Sequence, residues 1–550
     1  MFKNNFPLKY IFTLFYARIR NMKKIEVGNG TFAKLIESEN IYVDKTDILY
    51  NLITSGSTYF FCSRPRRFGK TLTISTLEAI FQGKKELFKG LKIYDRGYDW
   101  KEYPIIHIDF GKIQAKDADE LKESLKREAK RISKEYSVEY NERCTYYDVW
   151  NDLLLSISEK SNLVVLIDEY DKILSSNIYN PNVEEMRDVL RGFFEVIKAA
   201  SARIHFAFIT GVTKFSKVSI FSSMNNLRDI SMSEEYSTLF GYTEDELSHF
   251  FAEYIEKGIS DSGMTRKEYL AVLARKYDGY RFTPRQKNAL YNPVSIGNFF
   301  SDGGIDLNNY WIDSGNMMLL MEVAKKVRFD ISKDVARAIN KGDITSFDIL
   351  EMASSDVTSS EYRSLLFQTG YLTITGIDPD DSSLLLLDFP NKEVSEAYSK
   401  SIIALYGGKQ SEKVFAESKI AKCFADGRTS EAIERLKSIY EAIPYDLAKH
   451  ANELYYSSIF FSSMKALGAE IGNEIETKNG RVDAILKTDK NIYVFEFKLD
   501  QSADTALRQI HDKGYANQFD ADKKIKTVHL VGINFSSREK NIDEWKEEIL

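Results

Sequence analysis

The stretch Ser63-Arg64-Pro65-Arg66-Arg67-Phe68-Gly69-Lys70-Thr71 limits the folds open to this chain more than any other. An apolar run of strand character, Thr58-Tyr59-Phe60-Phe61-Cys62, leads into it, and a helical pattern, Leu72-Thr73-Ile74-Ser75-Thr76-Leu77-Glu78-Ala79-Ile80-Phe81, leads out. Strand, tight loop, Gly-Lys-Thr and helix is the context of a phosphate-binding loop. Gly69 lets backbone N–H groups approach a phosphate, and the new helix turns its unpaired N–H groups and positive dipole end to the anion. Lys70 can reach the β- and γ-phosphates, and the Thr71 hydroxyl can hold a magnesium ion. Arg66, Arg67, Phe68 and Leu72 complete the stretch expected against the nucleotide. Four cations (Arg64, Arg66, Arg67, Lys70) crowd this loop and repel one another without an anion. Arg64 stands where the usual pattern has its first glycine.

The chain around the loop supplies the matching sheet. Pro104-Ile105-Ile106-His107-Ile108-Asp109-Phe110 reads as a buried strand. The region 117–160 reads as helical, and Leu163-Val164-Val165-Leu166-Ile167-Asp168-Glu169 reads as a parallel strand ending in two carboxylates. Strand ends of such sheets form the ligand crevice. Asp168 is expected to complete a magnesium site opposite Thr71, and Glu169 to polarise the attacking water. Arg203-Ile204-His205-Phe206-Ala207-Phe208-Ile209-Thr210-Gly211-Val212-Thr213 reads as another central strand, ending in hydroxyls. Thr210 or Thr213 then stands where additional-strand P-loop ATPases sense the γ-phosphate. Upstream, Tyr42 to Thr46 reads as a helix entry with Asp44 as the N-cap.

A second constellation occupies the last hundred residues. Ala451 to Leu467 is a helical pattern containing Glu453, and Arg481-Val482-Asp483-Ala484-Ile485-Leu486 reads as a strand. In Tyr493-Val494-Phe495-Glu496-Phe497-Lys498, Glu496 and Lys498 project from one face of a strand. Asp483 falls on the adjacent antiparallel strand. A helix with Gln509 follows, then a strand Thr527 to Ile533 and a terminal helix. Two carboxylates on neighbouring strands can hold a divalent metal through hard oxygen ligands. The metal activates water and stabilises charge on a phosphodiester, and Lys498 orients the water or stabilises that charge.

Two resemblances follow from these residues. Ser63 to Thr71, Leu166-Ile167-Asp168-Glu169-Tyr170-Asp171-Lys172, Gly211-Val212-Thr213-Lys214-Phe215-Ser216, Asn225-Asn226-Leu227-Arg228-Asp229-Ile230 and Lys276-Tyr277-Asp278-Gly279-Tyr280-Arg281-Phe282 together resemble the bacterial AAA-ATPase-like family over roughly residues 25–300. In that family the loop starts with the same Ser-Arg-Pro-Arg-Arg pattern, so Arg64 is a family trait. Asp, then Glu-x-Lys, in helix–strand–strand–strand–helix–strand order is similar to the PD-(D/E)xK nuclease core. That resemblance implies catalytic roles for Asp483, Glu496, Lys498 and Gln509, metal ligation by Asp483, Glu496 and an outer Glu453, and a helix role for Tyr515.

The fold class is therefore α/β: an additional-strand, parallel-sheet P-loop NTPase, a mostly helical middle and a C-terminal restriction-endonuclease-like α/β domain. The expected divisions are 1–22 as an extension, 23–238 as the ATPase domain, 239–300 as a helical lid, 301–445 as the middle and 446–550 as the nuclease-like domain. Arg228 and Arg281 read as structural or solvated arginines. Within the middle, Ser364 to Ile374 and Ser382 to Phe389 resemble a winged helix without a basic recognition face, and 411–443 reads as amphipathic helix. Expected cofactors are ATP with magnesium at the first site and magnesium or manganese at the second. The expected partner is nucleic acid, DNA or RNA, and a homo-oligomer fits the reading. A net charge of −6 excludes broad electrostatic coating of nucleic acid but not a local basic groove. Three scattered cysteines (Cys62, Cys144, Cys423) form neither a disulfide framework nor a zinc pattern, which suits a reducing cytoplasm. The basic, aromatic Met1 to Asn21 lacks the apolar length of a signal or membrane segment. The function expected is an ATPase coupled to a metal-dependent nuclease. The alternative is an ATP-dependent switch or scaffold whose nuclease-like domain binds without cleaving.

Overall fold

The structure is a computed structural model that describes residues 22–550 except 29, 179, 215–219, 222–223, 225, 312–319, 321–322, 324–338, 342, 346–357, 402–418, 444–452, 467–468, 478–479, 521 and 523–524. The Met1–Asn21 extension, Phe215, Ser216 and Asn225 of the family motifs, and 411–418 of the expected amphipathic helix lie outside the described residues. The chain divides into two compact units, Met1–Trp311 with Asn340–Asp356 and Ser364–Ile377, and Ile312–Ile339 with Val357–Arg363 and Asp378–Leu550.

In the first unit, helices α1 (Phe32–Glu37) and α2 (Thr46–Ile53) precede strand β1 (Tyr59–Ser63) and helix α3 (Lys70–Phe81). Then come β2 (Ile105–Asp109), α4 (Ala118–Tyr136), α5 (Tyr146–Ile157), β3 (Leu163–Asp168), α6 (Lys172–Ser176), α7 (Val183–Ala199), β4 (Ile204–Gly211) and β5 (Leu227–Asp229). The five strands form one sheet in the order β2-β3-β4-β1-β5, every pair parallel. Strand β4 is inserted between the loop strand β1 and the acidic strand β3, which is the additional-strand arrangement. The strands suit this because their apolar runs have no polar face: all of β3 is buried. The register brings Asp109 beside Asp168, Cys62 beside Thr210 and Ser63 beside Gly211, so the chemistry-bearing residues collect at one edge of the sheet.

The helical stretch after β2 resolves into α4 and α5. Each opens on a side-chain cap: Asp117 accepts from the Glu120 N–H, and Thr145 from the Asp148 N–H. The expected Asp44 cap is corrected. Lys45 occupies the cap position of α2, and the buried Asp44 carboxylate lies one residue outside the helix. There it accepts from the Thr46 N–H at 2.9 Å and the Lys92 N–H at 2.8 Å, so it ties two segments together rather than closing one helix end.

Helices α8 (Glu244–Phe250), α9 (Ala252–Ser262), α10 (Arg266–Tyr277) and α11 (Pro293–Ser301) follow. They share a core of Leu247, Phe251, Ile255, Leu273, Tyr277, Ile296 and Phe300, onto which Val43 also packs. Capping boxes at Thr243–Glu246 and Thr265–Glu268 set the starts of α8 and α10. After α10 the chain turns through Asp278 to Phe282, and this turn packs on the phosphate loop. Further on lie β6 (Ile339–Asn340), α12 (Ser359–Thr369), β7 (Thr373–Ile377) and β8 (Leu384–Asp388).

In the second unit, α13 (Ile420–Ala425), α14 (Thr429–Glu441) and α15 (Glu453–Ala466) precede β9 (Glu470–Thr477), β10 (Gly480–Lys487), β11 (Asn491–Leu499), α16 (Ala503–Asp512), β12 (Thr527–Ser536) and β13 (Asn541–Ile549). The sheet order is β13-β12-β11-β10-β9. Strands β9 to β11 form an antiparallel meander, and α16 crosses over to bring β12 parallel to β11. Gly532 of β12 makes that crossover fit, since a Cβ there would meet the Ala503 carbonyl oxygen at 2.5 Å and the Leu507 nitrogen at 3.0 Å.

The expected terminal helix is a strand. Residues Asn541–Ile549 pair antiparallel with β12. Their Glu and Lys content favours a helix locally, but β12 offers an unpaired edge and the acidic side chains find partners in the extended form. Glu547 meets His529 Nδ1 at 2.7 Å and accepts from the Thr429 hydroxyl at 2.6 Å, and Glu544 accepts from the Ala503 N–H at 3.0 Å. Charges on an outer strand also discourage further edge pairing. No helix among the described residues is long and apolar enough to cross a membrane.

Asp278, at the carboxyl end of α10 in the first unit, is a carboxylate whose burial is incompletely repaid. One of its carboxylate oxygens is buried without a hydrogen-bond partner. Burial pushes its pKa from 3.8 up to about 6, helped by Glu244 and opposed by the Gly279 N–H and Arg281. The folded chain therefore holds a proton that the unfolded chain releases across this window. Stability falls as pH rises from 3.8 to about 6 and is level above it. Asp278→Asn is expected to raise stability at pH 7 by on the order of 2 kcal/mol and to flatten that slope, as read by denaturant unfolding at several pH values.

Candidate functional site

The first site is built where β1 gives way to α3. Gly69 takes a left-handed conformation at φ 93°, which reverses the chain and aims the first N–H groups of α3 back into the loop. Lys70 is buried, and its Nζ donates to the carbonyl oxygens of Arg64 and Pro65, each at 2.9 Å. Burial pushes its pKa down, and the charges of Asp168, Asp171 and Glu169 push it back up.

Asp168 is the hub. Only 1% of it is exposed. Its Oδ2 accepts from the Thr71 hydroxyl at 2.6 Å, and its Oδ1 from the Thr210 hydroxyl at 2.5 Å and the Glu169 N–H at 3.0 Å. Thr210 thus joins the row, whereas Thr213 turns to Asp171, donating to it from Oγ1 and from N, both at 2.7 Å. Glu169 has a left-handed backbone, φ 50°. Burial, then the Asp168 charge, raises its pKa, and Lys70 draws it down.

Other expected residues distribute differently. Arg66 is half-buried and Arg67 is exposed with φ 68°. Leu72 is half-buried in the first turn of α3. The Phe68 ring is buried away from the loop mouth, edge-on to Tyr280 at 4.8 Å and Phe282 at 5.5 Å. Arg228 pairs with Glu235 at 3.3 Å and lies over the Tyr236 ring. The backbone N–H of Arg281 donates to the Thr373 hydroxyl.

Some placements at this site were not legible in the sequence. Arg64 turns its side chain out of the loop, donating to the Ser231 carbonyl at 2.6 Å and lying over the Phe282 ring at 4.3 Å. The first glycine of the usual motif is dispensable here because the substituent leaves the phosphate side. Gly111 gives Glu169 its room: a Cβ there would stand 2.7 Å from Glu169 Oε2. Gly30 lies against Thr71, with 2.6 Å from a would-be Cβ to Thr71 Cγ2.

The second site lies on β10 and β11. Ala484 pairs with Phe495, and one more step of that register brings Asp483 opposite Glu496. Asp483 Oδ2 accepts from the Phe497 N–H at 2.7 Å. Lys498 Nζ donates to Glu496 Oε1 at 3.0 Å and to the Phe497 carbonyl at 2.8 Å. Glu496 is 1% exposed and its Oε2 has no hydrogen-bond partner. Burial, then the Asp483 charge, pushes its carboxyl up to about 7, against the pull of Lys498. Burial raises the pKa of the Tyr515 hydroxyl, with Glu496 and Asp483 adding to the rise and Gln509 on α16 drawing it down. The structure thus gathers Asp483, Glu496, Lys498, Gln509 and Tyr515. Glu453 is exposed at the first position of α15. No cluster of three or more carboxylate, histidine or cysteine side chains fit to hold a metal occurs among the described residues. The Phe497 carbonyl, which accepts from Lys498 Nζ, is a backbone oxygen at this site that side-chain reading does not reveal.

Comparison with known proteins matches the two regions in which these residues lie. The family described as predicted AAA-ATPase matches residues 26–221, and the PD-(D/E)XK nuclease superfamily matches residues 451–545. The chain is also similar to the Azotobacter chroococcum mcd 1 protein named "Uncharacterized protein in vnfD 5'region", at 32% identity over 533 residues, covering 94% of this chain and 98% of that protein. With both matches in place and a relative aligned along nearly its whole length, the chain belongs to the AAA-ATPase-like family that carries a C-terminal PD-(D/E)XK nuclease superfamily domain.

Proposed function

We propose that this protein binds and hydrolyses ATP, and that its nucleotide state governs a metal-dependent nuclease domain that cleaves nucleic-acid phosphodiesters. The observation that carries the nuclease half is the buried Glu496 Oε2, a carboxylate oxygen without a partner beside Asp483 and the Phe497 carbonyl. An all-oxygen set of this kind fits a hard divalent ion such as magnesium or manganese. Asp483, Glu496 and the Phe497 carbonyl would hold it, and bound there it would supply an activated water and charge stabilisation. Lys498, bonded to Glu496 and to the Phe497 carbonyl, positions the water and balances charge. Gln509 holds Tyr515 at the rim.

At the first site the Gly69 turn and the start of α3 offer N–H groups to phosphates, and Lys70 supplies the cation. Thr71 and Asp168 would hold magnesium, whose chemistry there is to neutralise charge on the β- and γ-phosphates. Thr210 shares Asp168 and so stands where it can report the γ-phosphate. Glu169, with its raised pKa, takes the proton of the attacking water. DNA or RNA is the proposed partner, and a homo-oligomer is compatible with the reading. A reducing cytoplasmic setting belongs to it too, supported by the free thiols of Cys62, Cys144 and Cys423.

Lys70→Ala is expected to abolish ATP binding in equilibrium titration; unchanged affinity would remove the phosphate-loop assignment. Glu169→Gln is expected to keep ATP affinity and lower hydrolysis by about 10²- to 10⁴-fold. The purified chain, incubated with labelled single- and double-stranded DNA and RNA, magnesium or manganese, and with or without ATP, is expected to cut one of these substrates. Asp483→Ala is expected to lose that cleavage while its circular dichroism is unchanged. Nucleic-acid binding without cleavage under every condition would favour a nucleotide switch over a nuclease.

A further inference from the structure

The phosphate loop is walled by three stretches distant in sequence. Two belong to the helical segment: the Gly241 N–H donates to the Phe68 carbonyl, and Tyr280 and Phe282 cover the Phe68 ring. The third is the turn Gln368–Thr373, which neither family match reaches. It follows α12 directly, and it meets the phosphate loop, the segment after β4 and the segment after α10.

Gly370 sits on the loop itself. Its φ is +89°, and a Cβ there would stand 2.7 Å from Pro65 Cβ and 2.8 Å from Pro65 Cγ. Pro65 has no side-chain rotamer to yield, so a push at this point moves loop backbone. That backbone includes the Pro65 carbonyl that holds Lys70 Nζ. Next to it, Tyr371 is buried edge-on to Trp311 at 4.7 Å, and the Arg66 charge draws its pKa down against the larger upward push of burial. Gln368 reaches the segment that follows β4, the strand that carries Thr210. Its Oε1 accepts from the Lys214 N–H at 2.6 Å, just past Thr213, and its Nε2 donates to Ser364 at 3.1 Å. Thr373 reaches the segment after α10, accepting from the Arg281 N–H at 2.6 Å.

We propose that the Gln368–Thr373 turn is a positioning element of the nucleotide site. Gly370 sets the height of the phosphate loop, and Gln368 holds the segment that continues from β4, the strand carrying Thr210. The inference rests on the reading of this loop as the nucleotide site and adds to it a wall from outside the matched region. Phosphate affinity depends on the loop N–H groups and Lys70 being held in place beforehand, and a sub-ångström displacement of the loop weakens all of those bonds together.

The test uses the full chain, ATP affinity by calorimetry and the nucleotide-free thermal midpoint. Gly370→Ala is expected to weaken ATP binding by about tenfold or more. Gly97→Ala is the control for backbone strain: its φ is +75° and a Cβ there meets nothing within 4 Å, so affinity is expected to stay at the wild-type value. Gln368→Ala, which strains no backbone, is expected to weaken binding with little change in midpoint. Gln368→Glu keeps the acceptor for Lys214 and is expected to restore binding. Wild-type chain that binds no ATP overturns the nucleotide reading and this inference with it. Wild-type binding retained in both Gly370→Ala and Gln368→Ala overturns the inference alone. Equal losses in Gln368→Ala and Gln368→Glu also overturn it, because the acceptor would then not be what matters.

Discussion

The buried carboxylate of Asp168 organises the first unit. An ionised group at 1% exposure needs donors. It takes them from three elements: Thr71 on α3, Thr210 on β4 and the backbone of Glu169. Each bond ties the acidic strand to a different part, namely the loop helix, the inserted strand and the residue that follows the strand. Losing one partner leaves the others bonded to a mispositioned charge, so the row acts as a unit. The parallel sheet makes this possible, since its strands end side by side and its interior strands hide on both faces.

The second unit treats its buried carboxylate in the opposite way. Glu496 is as enclosed as Asp168, yet one of its oxygens is unpaired and its partner Lys498 is shared with a backbone carbonyl. An oxygen left in this condition is costly for a fold to keep unless something else binds it. Asp168 is satisfied within the protein, and its neighbours are poised. Glu496 keeps one oxygen unpaired. The two halves thus show two ways in which a strand end is made chemically useful.

Local pattern carried much of this. Strand, glycine turn and helix around Lys70 were legible because a phosphate loop needs that sequence of elements, and the apolar runs of β3 and β4 admit no reading as half-exposed strands. Asp483 and Glu496 were legible because register and alternation together fix which residues meet. What the sequence hid depends on long-range packing. Arg64 at a glycine position makes sense only once Phe282 and the Ser231 carbonyl are seen to receive its guanidinium. The choice between Thr210 and Thr213 follows from which carboxylate each faces. The last strand was misread because its Glu and Lys residues favour a helix locally, and only the open edge of β12 overrides that preference.

The contact of Gly370 with Pro65 also bears on how the chain is made. A ribosome delivers the phosphate loop early, while the residue that rests on it arrives some 300 positions later. During synthesis the five strands can assemble first, leaving the Pro65 side of the loop bare until Gly370 emerges. The folding unit is accordingly discontinuous, drawing in Asn340–Asp356 and Ser364–Ile377 beyond Trp311. A fragment cut at the end of the matched region keeps the phosphate loop and the acidic strand but lacks all three walls, and one cut at the end of the four-helix segment lacks the last of them.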